Sequence, residues 1–584
     1  MANYFRDNAD IRFLLRAIPF SDVIETWEDG FRQAEEHDYA PESVEDALDS
    51  YERVLGVLGG LAGDFIAPRA EDVDLEGPTL DEDGRVHYAR GMAEAIERLG
   101  KADLMGFTLP RRHGGLNFPQ LVYAMAIEII SRADASLMNI FGLQGIAETI
   151  EEFADEAMKT EVLPRFCAGE VTSAMVLTEP DAGSDLQAVQ LKAIPGETED
   201  QWYLKGVKRF ITNGCGDVLL VLARSEPEID DGRGLSFFYA ERGPTVRVRR
   251  LENKLGIHGS PTCELQFNMT PARLIGERRL GLIRYAMAMM NGARLGIAAQ
   301  SIGIAEAAYR DALDYAYSRE QFGRPIKDFP AVAELLVQMK VQIDAARALT
   351  YYAAVAVDRA RSFQRIMDRA KEADDKDKLK EARAGFRSHE KLAKLLTPMC
   401  KYYCSEMCNR VTYEAISVLG GSGFMKDYKL ERLYRDARIT SIYEGTSQLQ
   451  VVAAVSGVLA GRVDAVPQDF PVDGYPDELK DLAAKATACH ERVKQAVETL
   501  KTRGDNQVTD LYARNLVDMG IDVVCGYALL WQASINEEKV PVARKWIVEA
   551  DVKSKANLDL ITTADKTTLT HFAQITGEPQ PIGT

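Results

Sequence analysis

Four short segments of this chain gather residue types that can grip a planar or charged ligand and move a proton. The first, Thr178 to Asp185 (Thr-Glu-Pro-Asp-Ala-Gly-Ser-Asp), follows an apolar run ending at Leu177. Its small residues and hydroxyls, Ser184 among them, let backbone N–H groups approach a ring edge or a diphosphate. An ordinary β-turn explains the same residues. In the second, Lys208 to Gly214, Phe210 and Thr212 stand two positions apart, which puts both on one face of a strand. That face can stack on a planar group and offer it a hydrogen bond; a plain hairpin with an Asn-Gly turn accounts for it equally well. The third contains Arg319, Gln321 and Phe322 after a long apolar stretch. Arg319 reads either as a guanidinium held for a phosphate or as a basic residue capping a helix end. The fourth runs from Gly421 through Tyr434, Arg435 and Asp436 to Tyr443, Glu444, Gly445, Thr446 and Gln448. Glu444 is a candidate proton acceptor. Ser441 and Glu444 also have the spacing of a capping box before an apolar run.

The elements that must hold these segments follow from hydrophobic periodicity. Helical spacing fills residues 41–170, after an N-terminal extension of residues 1–40. Residues 171–282 show short apolar runs broken by Gly, Pro, Asn and Asp, the pattern of a small β domain. Helices return over 283–462, with a charged stretch, Arg361 to Glu390, expected to extend a hairpin into solvent. Residues 463–584 read as a linker, Val463 to Tyr475, followed by an appended helical domain. The expected fold class is therefore mainly α with an inserted β domain.

Composition narrows the function. A formal net charge of −19 leaves no basic excess to neutralise nucleic-acid phosphates. No glycine-rich dinucleotide fingerprint or Walker loop is present. No apolar run looks long enough to span a bilayer, and no secretory signal opens the chain. The eight cysteines lack zinc spacing; Cys400, Cys404 and Cys408 share a helix face and are expected in the core rather than on a metal. The cytoplasm is the expected location.

Taken in order, the four segments resemble the signatures of the acyl-CoA dehydrogenase family, over roughly residues 45 to 460. Lys254 to Cys263 and Asn291 to Gly296 agree as intermediate landmarks. The two terminal regions suggest the larger bacterial members, including those assigned to 3-(methylthio)propionyl-CoA. The resemblance implies an N-terminal helical domain, a central β-barrel-like domain and a C-terminal four-helix bundle. It also implies bound FAD and a homodimer or homotetramer. By position, Leu177, Thr178, Ser184, Phe210 and Thr212 would meet the cofactor. Arg319, Gln321, Phe322 and Gly421 would reach the cofactor of an adjacent subunit, with Thr446 and Gln448 closing the site. Ser184, Asn291, Arg294, Tyr443 and Gly445 would contact an acyl-CoA. Glu444 would take the α-proton while a β-hydride leaves to the flavin, giving a trans-2-enoyl-CoA. Some members carry the base at the position of Ala293, and alanine cannot abstract a proton. Electrons would pass to an electron-transferring flavoprotein; an oxygen-using oxidase or a non-catalytic acyl-CoA-binding scaffold are the alternatives. Two departures stand out: Phe210 replaces the usual Trp, and Ser417 a common Gln. Met138, Phe141, Met289 and Met290 suggest bulk suited to a short acyl group, although such residues more often belong to an ordinary core. Arg132 is the nearest cation for a second carboxylate, with a surface role preferred.

Overall fold

The structure, a computed structural model, describes residues 2–198, 201–470 and 475–579. It divides into two compact units, residues Met1–Ala393 with Cys400–Ser447, and Lys394–Met399 with Gln448–Thr584.

In the first unit, helices α1 (Ala9–Ala17) and α2 (Ser21–Trp27) form the N-terminal extension. The Asn8 side chain accepts from the backbone N–H of Asp10 and Ile11, satisfying donors at the open end of α1. Arg16 ties α1 to α3 (Val44–Gly60) through Glu45, Asp49 and Glu52 at 2.5–2.7 Å. Glu28 reaches Arg111 at 2.5 Å, with both side chains buried. The extension is thus built into the helical layer.

Helix α4 (Gln120–Ala133) buries every residue except Arg132. A helix apolar nearly all round has to be a central one. Its one acidic residue, Glu128, is compensated by Arg347 at 2.7 Å and by the Tyr351 hydroxyl at 2.8 Å. Arg132 does not take the surface role expected for it. Its guanidinium is mostly buried, forms a two-pronged pair with Asp7 at 2.6 and 2.8 Å, and stacks over Tyr4. Helix α5 (Ala135–Phe141) follows directly.

The β domain contains β1 (Ser173–Val176), β2 (Lys192–Pro195), β3 (Trp202–Thr212), β4 (Val218–Arg224), β5 (Leu235–Glu241), β6 (Val246–Leu251) and β7 (Thr262–Leu274). The hydrogen-bonded order β4-β2-β3-β7-β5 returns to β4, closing a barrel, with β1 added beside β4 and β6 beside β7. All of β4 is buried, so its unbroken apolar run is the mark of a central strand.

Beyond the barrel lie α6 (Met287–Ser318), α7 (Pro330–Glu372), α8 (Lys376–Leu419) and α9 (Leu430–Thr440). The cysteine stripe packs against α7: the Cys400 thiol meets the Leu349 carbonyl at 3.5 Å, and Cys404 meets the Thr350 hydroxyl at 3.3 Å. Residues near the α7–α8 turn are exposed as expected. The start of the charged stretch is not a solvated face, however. Arg361 bonds Glu148 at 2.8 Å, Arg365 stacks on Trp27 and Arg369 pairs with Asp29. The last two contacts hold the N-terminal extension, a role that charge counting along one helix cannot reveal.

In the second unit, helices Lys480–Arg503, Ala513–Ile535 and Val540–Thr563 pack on one another. Val463 to Tyr475 was expected as a linker, yet Arg462–Ala465 and Val466–Asp469 form helical turns. Asp464 accepts from His490 at 2.7 Å, which pins the first of them; residues 471–474 lie outside the described set. Helix Ala513–Ile535 is long and apolar enough to cross a membrane, contrary to the reading from the sequence. Of its apolar window, 83% is buried, which makes it a core helix of its unit.

Candidate active site

Helix α9 ends at Thr440, and the chain then folds tightly before restarting as a helix at Ser447. The Ser447 N–H donates to the Ser441 carbonyl at 3.1 Å, closing the loop. Ser441 is therefore the C-terminal cap of α9, its hydroxyl accepting from Arg438 at 2.7 Å. The capping-box explanation of Ser441 and Glu444 fails, because the next helix begins three residues beyond Glu444.

At the crown of this loop Glu444 has φ 54° and Gly445 φ 89°. A left-handed backbone at a glutamate costs on the order of 1 kcal/mol or more and persists only where its surroundings enforce it. They do so on both sides. The Tyr443 hydroxyl donates to Gln300 and lies 3.4 Å from the Asn139 carbonyl oxygen, while Gln300 donates to Asn139 at 3.1 Å and to the Ala135 carbonyl at 3.0 Å. On the other side Lys401 of α8 donates to the Gly445 carbonyl at 2.6 Å, and the Ser447 hydroxyl donates to Glu406 at 2.5 Å. Burial pushes the Glu444 carboxyl up to about 7, opposed by the positive charges of Arg294 and Lys401. A carboxylate of that basicity accepts a proton near neutrality. Arg294, on the first turns of α6, donates to Asn291 at 3.0 Å, and its buried Nε has no partner among the described residues. Ala293 is its neighbour and offers no second base.

The second cluster lies on the barrel. Leu177 and Thr178 leave β1 and are gripped from β3: Lys208 donates to the Leu177 carbonyl at 2.6 Å, and the Arg209 N–H to the Thr178 carbonyl at 3.0 Å. Glu179 pairs with Lys208 at 2.9 Å and accepts from the N–H groups of Gln190 and Leu191. The turn is thus fixed from below, while Gly183, Ser184 and Asp185 face solvent. The alternation expected of β3 is interrupted by a bulge between Lys208 and Ile211, with Phe210 at φ 61°. Phe210 is half exposed, and it and Thr212 flank the buried Ile211 on the accessible side.

A third group remains apart. Arg319, Gln321 and Phe322 sit on a two-residue hairpin, Glu320–Gln321 with Arg324–Pro325, that projects from the end of α6. Phe322 is 94% exposed at φ 52°, and the Arg319 guanidinium has no partner among the described residues. Gly421 lies in the turn Gly420–Phe424, whose Ser422 meets Tyr315 of α6 at 3.3 Å, so Gly421 shares that end of the bundle. Thr446 is half-buried in the Glu444 loop, and Gln448 is exposed at the start of the following helix.

For two of the residues considered for an acyl pocket, the core reading holds. Phe141 stacks among Phe107 and Tyr123 in the helical core, and Met289 packs with Tyr285 and Leu282 in the cluster under the barrel. Their bulk is core packing. Sequence reasoning also missed Lys401, Lys208, Gln300 and Asn139. The available signal was a lone Lys within an apolar helical run, Leu395 to Tyr402, which is easily dismissed as a surface position.

The residues that would hold FAD fit it: an accessible ring at Phe210, an open turn at Gly183, and hydroxyls at Thr178, Ser184 and Thr212 without intramolecular partners among the described residues. Family models agree with this reading. The N-terminal, middle and C-terminal domains of acyl-CoA dehydrogenase match residues 60–170, 174–270 and 295–448, and a further acyl-CoA dehydrogenase C-terminal model matches 468–561. The 3-methylmercaptopropionyl-CoA dehydrogenase of Ruegeria pomeroyi is 33% identical over 69% of this chain and 69% of its own. The caffeyl-CoA reductase–Etf complex subunit CarC of Acetobacterium woodii is 32% identical over 63% of this chain and 89% of its own. The crystal structure of an acyl-CoA dehydrogenase complexed with FAD from Bacillus anthracis shares the fold, with a TM-score of 0.74, 22% identity and 90% of both chains covered. With four family models spanning both units and a relative 33% identical over 69% of each chain, the chain belongs to the acyl-CoA dehydrogenases, FAD-dependent oxidoreductases.

Proposed function

We propose that this enzyme converts an acyl-CoA thioester to its trans-2-enoyl form, with Glu444 removing the α-proton. The observation that carries the reading is the Glu444 loop: a carboxyl held in a left-handed turn and raised to about 7 by burial. A thioester α-proton is weakly acidic, so the base must be strong yet still ionised at neutral pH. FAD, when bound, supplies the acceptor for the β-hydride. The protein's own part is to take the proton at a Glu444 carboxylate oxygen and to steady the thioester carbonyl. The backbone N–H of Glu444 is suited to the second task, since a donor fixed by the loop needs no reorganisation as charge develops on the oxygen. Arg294 and Asn291 would contact the CoA portion, and Ser184, Tyr443 and Gly445 would line the thioester's approach. Leu177, Thr178, Phe210 and Thr212 would face the flavin.

The exposed hairpin with Arg319, Gln321 and Phe322, together with Gly421, would meet the FAD of a second subunit in a homodimer or homotetramer, with Thr446 and Gln448 closing the site. Electrons would leave to an electron-transferring flavoprotein. The relative from Acetobacterium woodii named for an Etf complex supports that partner. Eight free cysteines, all buried, suit a reducing cytoplasm.

The test is anaerobic addition of a panel of acyl-CoA esters to the purified protein, followed by its absorbance. Bleaching of the flavin bands by one ester, and no bleaching by that ester in Glu444→Gln, is the expected result. Bleaching that survives in Glu444→Gln refutes the assignment of the base.

A further inference from the structure

We infer that Lys401 is the positioning residue for the base: its ammonium pins the Gly445 carbonyl, fixes the left-handed Glu444–Gly445 turn, and holds a positive charge beside the carboxylate. This rests on the reading of Glu444 as the base.

Lys401 lies on α8 among Cys400, Tyr402 and Cys404, all buried, and is itself fully buried. A buried ammonium without compensation would be strongly unfavourable, so its partners identify its purpose. Among the described residues its Nζ donates to the Gly445 carbonyl at 2.6 Å, the peptide immediately after Glu444. That bond restrains ψ of Gly445 where φ is already 89°, and so restrains the orientation of the preceding side chain. A neutral donor could make one such bond; only a cation also acts on the carboxylate.

The charged groups around Lys401 are Glu444 from the loop, Arg294 from α6 and Glu406 from its own helix. Arg294 is committed to Asn291, and Glu406 accepts from the Ser447 hydroxyl. Burial brings Lys401 down to about 8, with Glu444 the largest opposing influence, so it remains charged where Glu444 first ionises. Arg294 and Lys401 together oppose the burial that would otherwise leave the base protonated, so that a good part of it is ionised near neutral pH.

The experiment compares pH profiles of kcat/KM for wild type, Lys401→Met and Lys401→Arg, using the ester that bleaches the flavin, with flavin absorbance as the check on folding. In Lys401→Met the acid limb is expected to move up by about one pH unit, roughly a fivefold loss at pH 7. A further loss of up to ~100-fold on the plateau is expected from misplacement of the carboxylate. Lys401→Arg is expected to restore the limb but not the full plateau. A flavin-loaded Lys401→Met with an unmoved acid limb overturns the proposal. If that variant does not retain flavin, Lys401→Gln is read in its place by the same criterion. Glu444→Gln separates the two readings: activity in that variant defeats the base itself, whereas its inactivity beside an unmoved limb in Lys401→Met defeats only the role given to Lys401.

Discussion

The Glu444 loop and the Arg319 hairpin both carry non-glycine residues in left-handed backbone, yet they sit in opposite circumstances. Glu444 at φ 54° is enclosed by Tyr443, Gln300, Arg294 and Lys401 and is raised by burial. Phe322 at φ 52° is 94% exposed, on a hairpin whose neighbouring Arg319 has no partner among the described residues. The first strained turn is enforced by its own chain. The second is held by hairpin pairing of Glu320–Gln321 with Arg324–Pro325 and by Phe329 edge-on to Phe322 at 6.1 Å, while its outer face stays open to solvent. Strain by itself therefore does not separate a finished site from an unfinished one; the partners do.

The comparison breaks most readily at Glu444. Glu444→Gln preserves the shape of the loop but removes the acceptor, so turnover is expected to fall by about 10²- to 10⁴-fold while the flavin spectrum stays. Steady-state rates with the bleaching ester check this, and a loss under tenfold would place the base elsewhere. At the other region, Arg319→Ala should weaken FAD retention by roughly 10- to 100-fold, the worth of one charge-assisted hydrogen bond. Fluorescence titration of the apoprotein measures it. Subunit mass by light scattering should fall with it if the hairpin meets a second subunit; unchanged affinity and mass would make the hairpin mere surface.

A smaller effect sharpens the account of the enclosed region. With the Glu444 carboxyl at about 7, kcat/KM should rise about tenfold per pH unit below that value and level off above it. A limb near the ordinary carboxylate range of about 4 would contradict the burial argument. The smallest effect is on stability. A carboxyl raised on folding binds its proton more tightly in the native state, so it lowers stability as pH climbs from the unfolded value through about 7. Glu444→Gln should remove that loss and be more stable than wild type at pH 8, by on the order of 1 kcal/mol, with no gain at pH 4. Urea unfolding at the two pH values decides it, and a variant destabilised at pH 8 but not at pH 4 would show that the carboxylate instead stabilises the fold.

Legibility from the sequence followed the range of each interaction. The order of helical and β regions could be read because periodicity is local: unbroken apolar strands such as Val218 to Arg224 and the wholly buried α4 need no knowledge of their neighbours. The bulge at Phe210 could not be read, because a bulge is a mismatch between two strands, here β3 and β7. The charged stretch after Arg361 was misjudged for the same reason, since Trp27 and Asp29 lie more than 300 positions away in the chain. Phe141 and Met289 fill cores, the commoner of the two readings the sequence left open, because apolar bulk looks the same in a core or a pocket.

The sequence by itself determined the residue types and their order: a glutamate followed by glycine at 444 and 445, the Thr178 turn, an arginine at 319, and alanine where a second base would have stood. Only the tertiary structure decided what those residues experience. Glu444 becomes basic because the fold excludes water from around a loop far along the chain, while helices α6 and α8 bring Arg294 and Lys401 there to oppose that rise. Desolvation and charge pairing depend on distance in space, which one-dimensional spacing does not encode.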